Sequence, residues 1–213
     1  NHGINRLMTM LLGQRGFSYW PGGQWGYSWS SIYATHFLVE AKKAAYEVPS
    51  DSLRFALGHL RQIGRGQRMS TYRNRSIDHR SQAYALYVLA LAKTPLRSET
   101  QNLINTLKAQ KSPNPEAWAL AHGALLMSGE RSQARSFLKN EISIDAGSSR
   151  SGFGSSIRTL ALTLSVLSDV APSHRSIPGL VKRLSKSAKL GRWGTTQENA
   201  YALMSLGKIS KQF

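Results

Sequence analysis

The chain has 213 residues, of which 41% are hydrophobic, enough to bury one sizeable core. It contains no cysteine, which excludes disulfides, thiolate nucleophiles and cysteine-ligated zinc sites within it. Its 28 Lys and Arg against 11 Asp and Glu give a net charge of +17. Such an excess favours binding to nucleic acid, acidic glycan or an anionic membrane surface, or a solvated basic face that meets an acidic neighbouring domain.

Apolar residues recur at helical rather than alternating spacing along most of the chain, as in 81–93 and 155–170. Clusters rich in Gly, Pro and Ser, typical of turns, separate such segments at 21–26, 64–70, 111–115 and 146–154. No apolar run approaches the roughly 20 residues of a membrane span. We therefore predict an all-α chain with one domain over residues 1–213. The start at Asn1, without Met, predicts a fragment of a much larger multidomain protein.

Several segments carry residues typical of helix starts. They are the capping-box patterns Thr195-x-x-Glu198 and Ser98-x-x-Gln101, and the single N-cap candidates Asp78 and Ser50. Each predicts that a helix begins immediately after its Thr, Ser or Asp.

The sequence also repeats itself. Residues 23–38 (GQWGYSWSSIYATHFL) and 191–206 (GRWGTTQENAYALMSL) share Gly-x-Trp-Gly and a later Tyr-Ala. Five segments spaced by about 40 residues on average share an aromatic residue or Leu followed by Ala and an apolar stripe. These positions are Tyr33, Tyr84, Trp118, Leu160 and Tyr201. The pattern indicates a repeat architecture.

Each repeat pairs two kinds of helix. A segment that is apolar nearly all round is followed by an amphipathic one, at 51–63, 98–109, 131–142 and 178–190. The first kind belongs inside and the second outside. The similarity of the first and last repeats favours a closed ring over an open solenoid. With a further outer helix at 4–15, we predict an alpha/alpha toroid of six helical hairpins, the first of them truncated.

Four segments carry a resemblance to a known family: 16–49, 82–93, 153–172 and 191–208. Together they resemble the thioester-domain region of the bacterial alpha-2-macroglobulin family and, more distantly, the complement thioester domain. The resemblance implies a toroid inside a large periplasmic or secreted protein that traps proteases after bait cleavage. It also implies target proteases and flanking beta-sandwich domains as partners, and a role in defence without catalysis.

The reactive motif of that family is missing here. Thioester-bearing members have Cys-x-Glu-Gln before the Gly-Phe-x-x-Trp stretch, whereas this chain has no Cys. Either the motif precedes Asn1 or the parent protein lacks it. Family members also place a residue beside the thioester from the segment that corresponds here to about 66–79. Tyr72 and His79 are the candidates by chemistry, and a turn or cap role is the alternative for both.

The same residues argue against several classes of enzyme. The acidic residues lie mostly at predicted helix starts or on outer faces, unlike the facing carboxylates of a glycosidase. The six His show no metal-binding spacing, so we predict no catalytic site, no metal and no cofactor. We expect His36 and His122, on predicted inner helices, to be buried and structural.

The most basic stretch supports an enzymatic alternative. Residues 61–80 contain Tyr72 and His79 among the arginines Arg61, Arg65, Arg68, Arg73, Arg75 and Arg80. A polysaccharide lyase acting on acidic glycan neutralises a uronate carboxylate with such cations and moves protons with Tyr or His. The stretch also suits a polyanion-binding module without specificity for nucleic acid. A long solvated loop is the interpretation that we favour.

One aromatic cluster surrounds the first Gly-x-Trp-Gly. Its members are Phe17, Tyr19, Trp20, Trp25, Tyr27 and Trp29. Such residues among Gly and Pro either stack on sugars or pin an irregular loop onto a helical core. We favour packing onto the core.

Overall fold

The computed structural model describes residues 2–67, 76–111, 113–142, 144 and 155–211. The helices in this part of the chain are α1 His2–Met8, α2 Ser28–Lys43, α3 Ser50–Gly64, α4 His79–Leu91, α5 Arg97–Lys108, α6 Pro115–Met127, α7 Arg135–Lys139, α8 Ser156–Val170, α9 Ile177–Ser187 and α10 Thr196–Ser210. A short 3-10 helix covers Gly13–Arg15. The described residues form no β-strand beyond two isolated bridges. The predicted all-α class is confirmed.

No helix in the described ranges combines the length and apolar character needed to cross a membrane. The chain forms two compact units, unit 1 over Asn1–Ser112 and unit 2 over Pro113–Phe213. Unit 1 contains α1 to α5 and unit 2 contains α6 to α10. The single domain, the ring closure and the number of hairpins concern both units together and stay predictions.

Burial separates most of the predicted inner helices from the outer ones. Ten of the 13 residues of α4 and ten of the 13 of α6 are buried, against four of the 12 in α5 and three of the 11 in α9. All five repeat positions lie in the predicted inner helices, which are α2, α4, α6, α8 and α10. The predicted burial of inner helices is therefore confirmed for α4, α6 and α8, the last with ten of 15 residues buried. It is not confirmed for α10, where five of 15 residues are buried, against six of 15 in the predicted outer helix α3.

The inner helices of a unit begin at the same end. In unit 1 the α3 residue His59 lies at the entry to α2, and the Gln82 side chain at the start of α4 donates to the Gly64 carbonyl at the end of α3 (3.0 Å). Both inner helices thus begin where α3 ends. In unit 2 the first turns of α6 and α8 are joined by an ion pair between Glu116 and Arg158.

One polar position recurs in the repeat, two residues before the shared aromatic residue or Leu. Its occupants are Ser31, Gln82, Glu116, Arg158 and Asn199. Ser31 Oγ accepts a hydrogen bond from the Phe17 N–H (2.8 Å), and Asn199 Oδ1 accepts one from the Trp193 N–H (3.1 Å). In these two repeats the position ties the first turn of an inner helix to the segment that leads into it.

The predicted helix starts are half right. Thr195 and Glu198 form the capping box, and Asp78 caps α4 by accepting from the Ser81 N–H. The predictions for Ser98 and Ser50 are wrong. The helix α5 begins one residue before Ser98, at Arg97, after Leu96 as N-cap. The helix α3 already includes Ser50, because Pro49 holds the extended backbone of the N-cap position (φ −56°, ψ 123°).

Three outer helices are shorter than predicted. The segment 178–190 is an α-helix only to Ser187, since Ala188 has an extended backbone (φ −69°, ψ 136°). The segment 4–15 is α-helical only to Met8, and left-handed Gly13 and Gly16 (φ 60° and 81°), at the two ends of the short 3-10 helix, turn the chain back toward Phe17. The segment 131–142 is an α-helix only over Arg135–Lys139, since Asn140 has an extended backbone (φ −82°, ψ 145°).

Candidate functional site

The loop over residues 16–27, here called the aromatic loop, leads into the inner helix α2 of unit 1. Phe17 is buried, and its carbonyl accepts from the Tyr27 N–H (3.0 Å) and from the Ser30 hydroxyl (2.9 Å). The Phe17 N–H in turn donates to Ser31 Oγ. These bonds clamp both ends of the loop to the first turn of α2.

Two glycines let the backbone approach its neighbours closely here. A Cβ on Gly16, which has φ +81°, would lie 2.3 Å from Ser31 Oγ and 2.6 Å from His59 Nε2. A Cβ on Gly26 would lie 1.8 Å from the Arg15 carbonyl oxygen. Neither separation is possible for a real side chain, so the loop conformation requires glycine at both positions.

The tip of the loop presents aromatic side chains to solvent. Trp20 is 75% exposed, Trp25 47% and Tyr19 37%. The backbone beneath them is ordered by hydrogen bonds, since the Trp20 carbonyl accepts from the Gly23 N–H (3.1 Å) and from the Ser18 hydroxyl (2.6 Å). Packing onto the core is thus confirmed for Phe17 and wrong for Trp20 and Trp25, which the turn that begins at Trp20 holds away from the helices. The Tyr19 ring packs on Tyr27 (centroids 4.3 Å apart), and the Trp29 ring packs on Tyr84 of α4 (5.5 Å).

His59 of α3 lies against the start of the aromatic loop, close to Gly16. It is buried on α3, and its Nδ1 lies 3.1 Å from the Gln14 carbonyl, an acceptor, so Nδ1 carries the proton. Its Nε2 has no hydrogen-bond partner among the described residues. Burial lowers the pKa of His59, and the bond to Gln14 opposes that shift only in part.

The start of α4 carries one of the residues predicted to lie beside a thioester. His79 is half-buried, and its Nδ1 lies 3.1 Å from the side-chain amide of Gln110, which donates to it. Because that nitrogen accepts, the proton of the neutral imidazole is on Nε2. The other candidate, Tyr72, lies outside the described residues, so its prediction is untested.

Three of the six predicted basic-surface residues lie in the described part of the chain. Arg65 Nε is 3.6 Å from Glu99 Oε1, and Arg80 Nε is 4.0 Å from Asp78 Oδ1. Arg61 is half-buried in the last turn of α3. The remaining three, Arg68, Arg73 and Arg75, lie outside the described residues. The two carboxylates partly offset the positive charge that a lyase or a phosphate site needs.

The inner helices of unit 1 enclose a polar cluster. His36 is buried, with Nδ1 2.7 Å from the Tyr84 hydroxyl and Nε2 3.5 Å from Glu40 Oε1. Its ring also packs edge-on against Tyr87. The predicted burial of His36 is confirmed.

In unit 2 the other predicted histidine is also buried. The ring of His122 stacks on Phe137 (centroids 5.0 Å apart) and lies 4.2 Å from the Trp118 ring. Its Nδ1 lies 2.9 Å from the Trp118 carbonyl, one helical turn earlier. These contacts are those of a structural core residue, as expected.

Unit 2 contains a buried ion pair that the sequence patterns above did not predict. Arg158 Nη2 lies 2.8 Å from Glu116 Oε1, and Arg158 Nε donates to Glu116 Oε2 (3.0 Å). Both side chains are almost fully buried. The signal was present, since each is the single charge near the start of a helix that is otherwise apolar, and the two charges are opposite. No group of three metal-ligating side chains occurs in the described ranges.

Comparison with known proteins gives a fold likeness. No protein-family model and no curated protein matches the chain. Among solved structures, alpha-2-macroglobulin of Escherichia coli activated by porcine elastase is 24% identical, with a TM-score of 0.76 over 99% of this chain and 19% of that one. The trypsin-activated form is 25% identical, with a TM-score of 0.75 over 99% of this chain and 15% of that one.

A second organism gives the same likeness. Salmonella alpha-2-macroglobulin reacted with methylamine is 23% identical, with a TM-score of 0.71 over 95% of this chain and 14% of that one. The chain thus spans less than a fifth of the length of these three structures. Over nearly all of its own length it has the fold of a region of bacterial alpha-2-macroglobulins.

Proposed function

We propose that the chain is the helical, thioester-type domain of a bacterial alpha-2-macroglobulin-like protease inhibitor, and that it catalyses no reaction itself. The observation that carries the proposal is the fold likeness over 99% of the chain to alpha-2-macroglobulin activated by elastase or trypsin. The sequence resemblance of four separate segments points to the same region of that family. A periplasmic or extracellular location, and a role in envelope defence, follow from this proposal.

The domain acts through contact and conformational change. With no cysteine, the chain forms no thioester, so any such bond in the parent protein uses residues outside these 213. We place His79 beside that bond, at the start of α4, where Gln110 orients the ring with its proton on Nε2. Tyr72 is the second candidate for this position.

We assign the aromatic loop to contact with a flanking beta-sandwich domain. Trp20 and Trp25 are both exposed on one ordered loop, and exposed tryptophans of this kind are typical of a protein interface. Exposed tryptophans on a fixed loop lose little conformational entropy when a partner covers them, so they suit a contact that forms and breaks as the parent protein changes shape.

The test uses the full-length parent protein and elastase. A protease trap, once cleaved, leaves elastase active on a small peptide substrate but inactive on a large protein substrate. We expect this split, with elastase inactivated at its active site as the control that leaves the parent protein uncleaved. Cleavage of the parent protein with elastase equally active on both substrates contradicts the proposal.

A matched pair of variants tests the role of the aromatic loop. Trp20→Ser with Trp25→Ser removes the exposed patch and should change how the flanking domain protects the helical domain from proteolysis. Tyr46→Ser is the control, because Tyr46 is 56% exposed but follows α2 at the opposite end from the loop. Equal effects of both changes would exclude a specific contact at the loop.

A further inference from the structure

The turn after α9 in unit 2 exposes a single leucine. Lys189 and Arg192 form a two-residue hairpin, in which the Lys189 N–H donates to the Arg192 carbonyl (2.8 Å) and the Arg192 N–H donates back (3.1 Å). Leu190, the first residue between them, is 98% exposed. Its φ is +51° and that of Gly191 is +74°, the backbone signs of a type I′ turn.

Leucine is a poor choice for this position. The left-handed region is strained for a residue with a bulky side chain, and Asn or Gly is the usual occupant of such a turn. Leu190 therefore gains neither burial nor backbone preference, which points to a role in binding.

The turn is held firmly in place. The indole N–H of Trp193 donates to the Leu184 carbonyl and to the Ser187 hydroxyl, both 3.0 Å away in the last turn of α9. Asn199 at the start of α10 binds the Trp193 N–H and carbonyl. Leu190 thus projects from a position fixed by two helices.

The sequence on both sides of Leu190 is strongly cationic. The nearest acidic residues along the chain are Asp169, which pairs with Lys208, and Glu198, which is buried and accepts from the Thr195 N–H. Residues 170–197 contain six Lys and Arg and no Asp or Glu. Two of the six are engaged inside unit 2, since Arg175 donates to the Lys139 carbonyl and Arg183 to the Ile144 carbonyl. The other four are exposed, and among the described residues none lies within ion-pair distance of a carboxylate: Lys182, Lys186, Lys189 and Arg192.

We propose that these four cations and Leu190, together the Leu190 face, dock unit 2 onto an anionic lipid bilayer. The cations bind lipid phosphates, and Leu190 inserts among the headgroups and upper acyl chains. A bilayer accepts one apolar tip anywhere on its surface, whereas a protein partner needs a fitted pocket within a broad interface. Long Lys side chains suit the headgroup region, because their apolar stems extend while the charge stays in water.

The main variant is Leu190→Asn, which removes the apolar tip and keeps a residue that adopts positive φ readily. The assay measures sedimentation of the purified protein with vesicles of equal parts phosphatidylglycerol and phosphatidylcholine. We expect wild-type protein to bind these vesicles and not pure phosphatidylcholine. Leu190→Asn should bind roughly tenfold more weakly, as lost insertion of one Leu predicts. Its salt-dependent retention on heparin should be unchanged.

Charge is tested with matched pairs of lysines. Lys186→Gln with Lys189→Gln removes two cations of the Leu190 face and should weaken vesicle binding about thirtyfold. Lys108→Gln with Lys111→Gln removes the same charge from exposed positions of unit 1 and should have little effect. Circular dichroism verifies that each variant keeps its helices.

Three outcomes overturn the proposal. The first is wild-type protein that does not bind anionic vesicles. The second is Leu190→Asn with unchanged vesicle binding, or with heparin retention weakened equally, which would indicate a simple polyanion site. The third is equal loss in both lysine pairs, which would indicate attraction by net charge alone. Since no protease enters the assay, its result is independent of the inhibitor proposal.

Discussion

Gly-x-Trp-Gly occurs at 23–26 and again at 191–194, and the two copies place their tryptophans in opposite environments. Trp193 is 7% exposed and its indole is hydrogen-bonded to α9, whereas Trp25 is 47% exposed at the tip of the aromatic loop. Ser31 and Asn199 occupy the same repeat position, yet Ser31 binds the backbone of Phe17 rather than that of Trp25.

Phe17 is therefore the structural counterpart of Trp193. Both are buried, and both donate their N–H to the polar residue in the first turn of the inner helix that follows. In the first copy the chain makes this contact earlier and then runs through a loop before the helix begins. The extra residues carry Trp25 outward. Both copies thus have a buried aromatic position beside the first turn of the following inner helix, here called the slot. Phe17 occupies the slot in the first copy and Trp193 occupies it in the second.

The largest effect should come from emptying that slot. Trp193→Ala removes a buried aromatic side chain and should lower the free energy of unfolding by about 3–5 kcal/mol, as buried aromatic truncations do. Trp25→Ala, at the sequence-matched position, should change it by less than about 0.5 kcal/mol. Urea unfolding followed by far-ultraviolet circular dichroism measures both.

The match between Phe17 and Trp193 predicts a further result of the same measurement. Phe17→Ala should be about as damaging as Trp193→Ala, because both remove the buried side chain of the slot. If Trp25→Ala proved as destabilising as Trp193→Ala, the sequence match would be the right one and the assignment of Phe17 wrong.

The next largest difference in stability between the two copies should come from substituting the second glycine of the motif. Gly26→Ala sets a Cβ against the Arg15 carbonyl, so the backbone must move, and we expect a loss of about 2–3 kcal/mol. In Gly194→Ala the nearest atom is Glu198 Oε2, 3.1 Å away at the end of a side chain rather than in the backbone, so a small shift of that side chain relieves the contact. That change should cost less than about 1 kcal/mol.

Unfolding in urea compares these two variants directly. Equal losses would mean that the aromatic loop relaxes around the new methyl group and that its backbone is not fixed by the close approach to Arg15. The exposed tryptophans would then have no rigid support, which would weaken the case for a preformed contact surface.

The helices were predictable because their information is local. Spacing of apolar residues gave the inner and outer helices, and the side chains of Thr195 and Asp78 set two starts. The aromatic loop was not predictable in this way, because whether Phe17 or Trp25 fills the slot depends on the distance from the inner helix and on the glycines. Local sequence does not distinguish Phe17 from Trp25, because both are aromatic residues near glycines.

The candidate site was predictable only in part. His79 lies at the start of α4 as expected, yet its bond to Gln110 joins residues far apart in sequence. His59 lies on α3, which the sequence predicts to be an outer, amphipathic helix. Its burial results from the path of the chain that leads into the aromatic loop, which the sequence does not reveal. The Glu116 and Arg158 pair was recoverable, because a lone charge on an apolar helix requires a partner.

A smaller effect should come from the polar residue at the repeat position in the second copy. Asn199→Ala leaves the Trp193 N–H without its acceptor and the Trp193 carbonyl without its side-chain donor, and should cost about 1–2 kcal/mol. Asn199→Asp keeps the acceptor but sets a carboxylate oxygen against the Trp193 and Thr195 carbonyl oxygens, so it should not recover that loss. Asn105→Ala, on the exposed face of α5, is the control and should change stability by less than about 0.5 kcal/mol. A loss for Asn105→Ala as large as that for Asn199→Ala would contradict a specific role for the repeat position.

A further difference is a dependence on pH that arises at His59, beside the first copy. Burial holds the pKa of His59 below its ordinary value near 6.5, so below that pH the folded chain binds fewer protons than the unfolded chain. The stability that neutral His59 confers is present above about pH 6.5 and is lost as the pH falls below it. We expect a loss of up to about 1.4 kcal/mol per pH unit from this residue.

His59→Asn keeps a donor near the Gln14 carbonyl without a group that titrates, so its urea midpoint should fall less than that of wild type between about pH 7 and pH 5. Burial also lowers the pKa of His174 in unit 2, and His174→Gln removes that contribution separately. Repulsion among the 28 Lys and Arg rises equally in all variants as acids protonate, so it cancels in the comparison. If His59→Asn kept the full acid sensitivity of wild type while His174→Gln lost it, the aromatic loop would be insensitive to pH, and acid would act through unit 2.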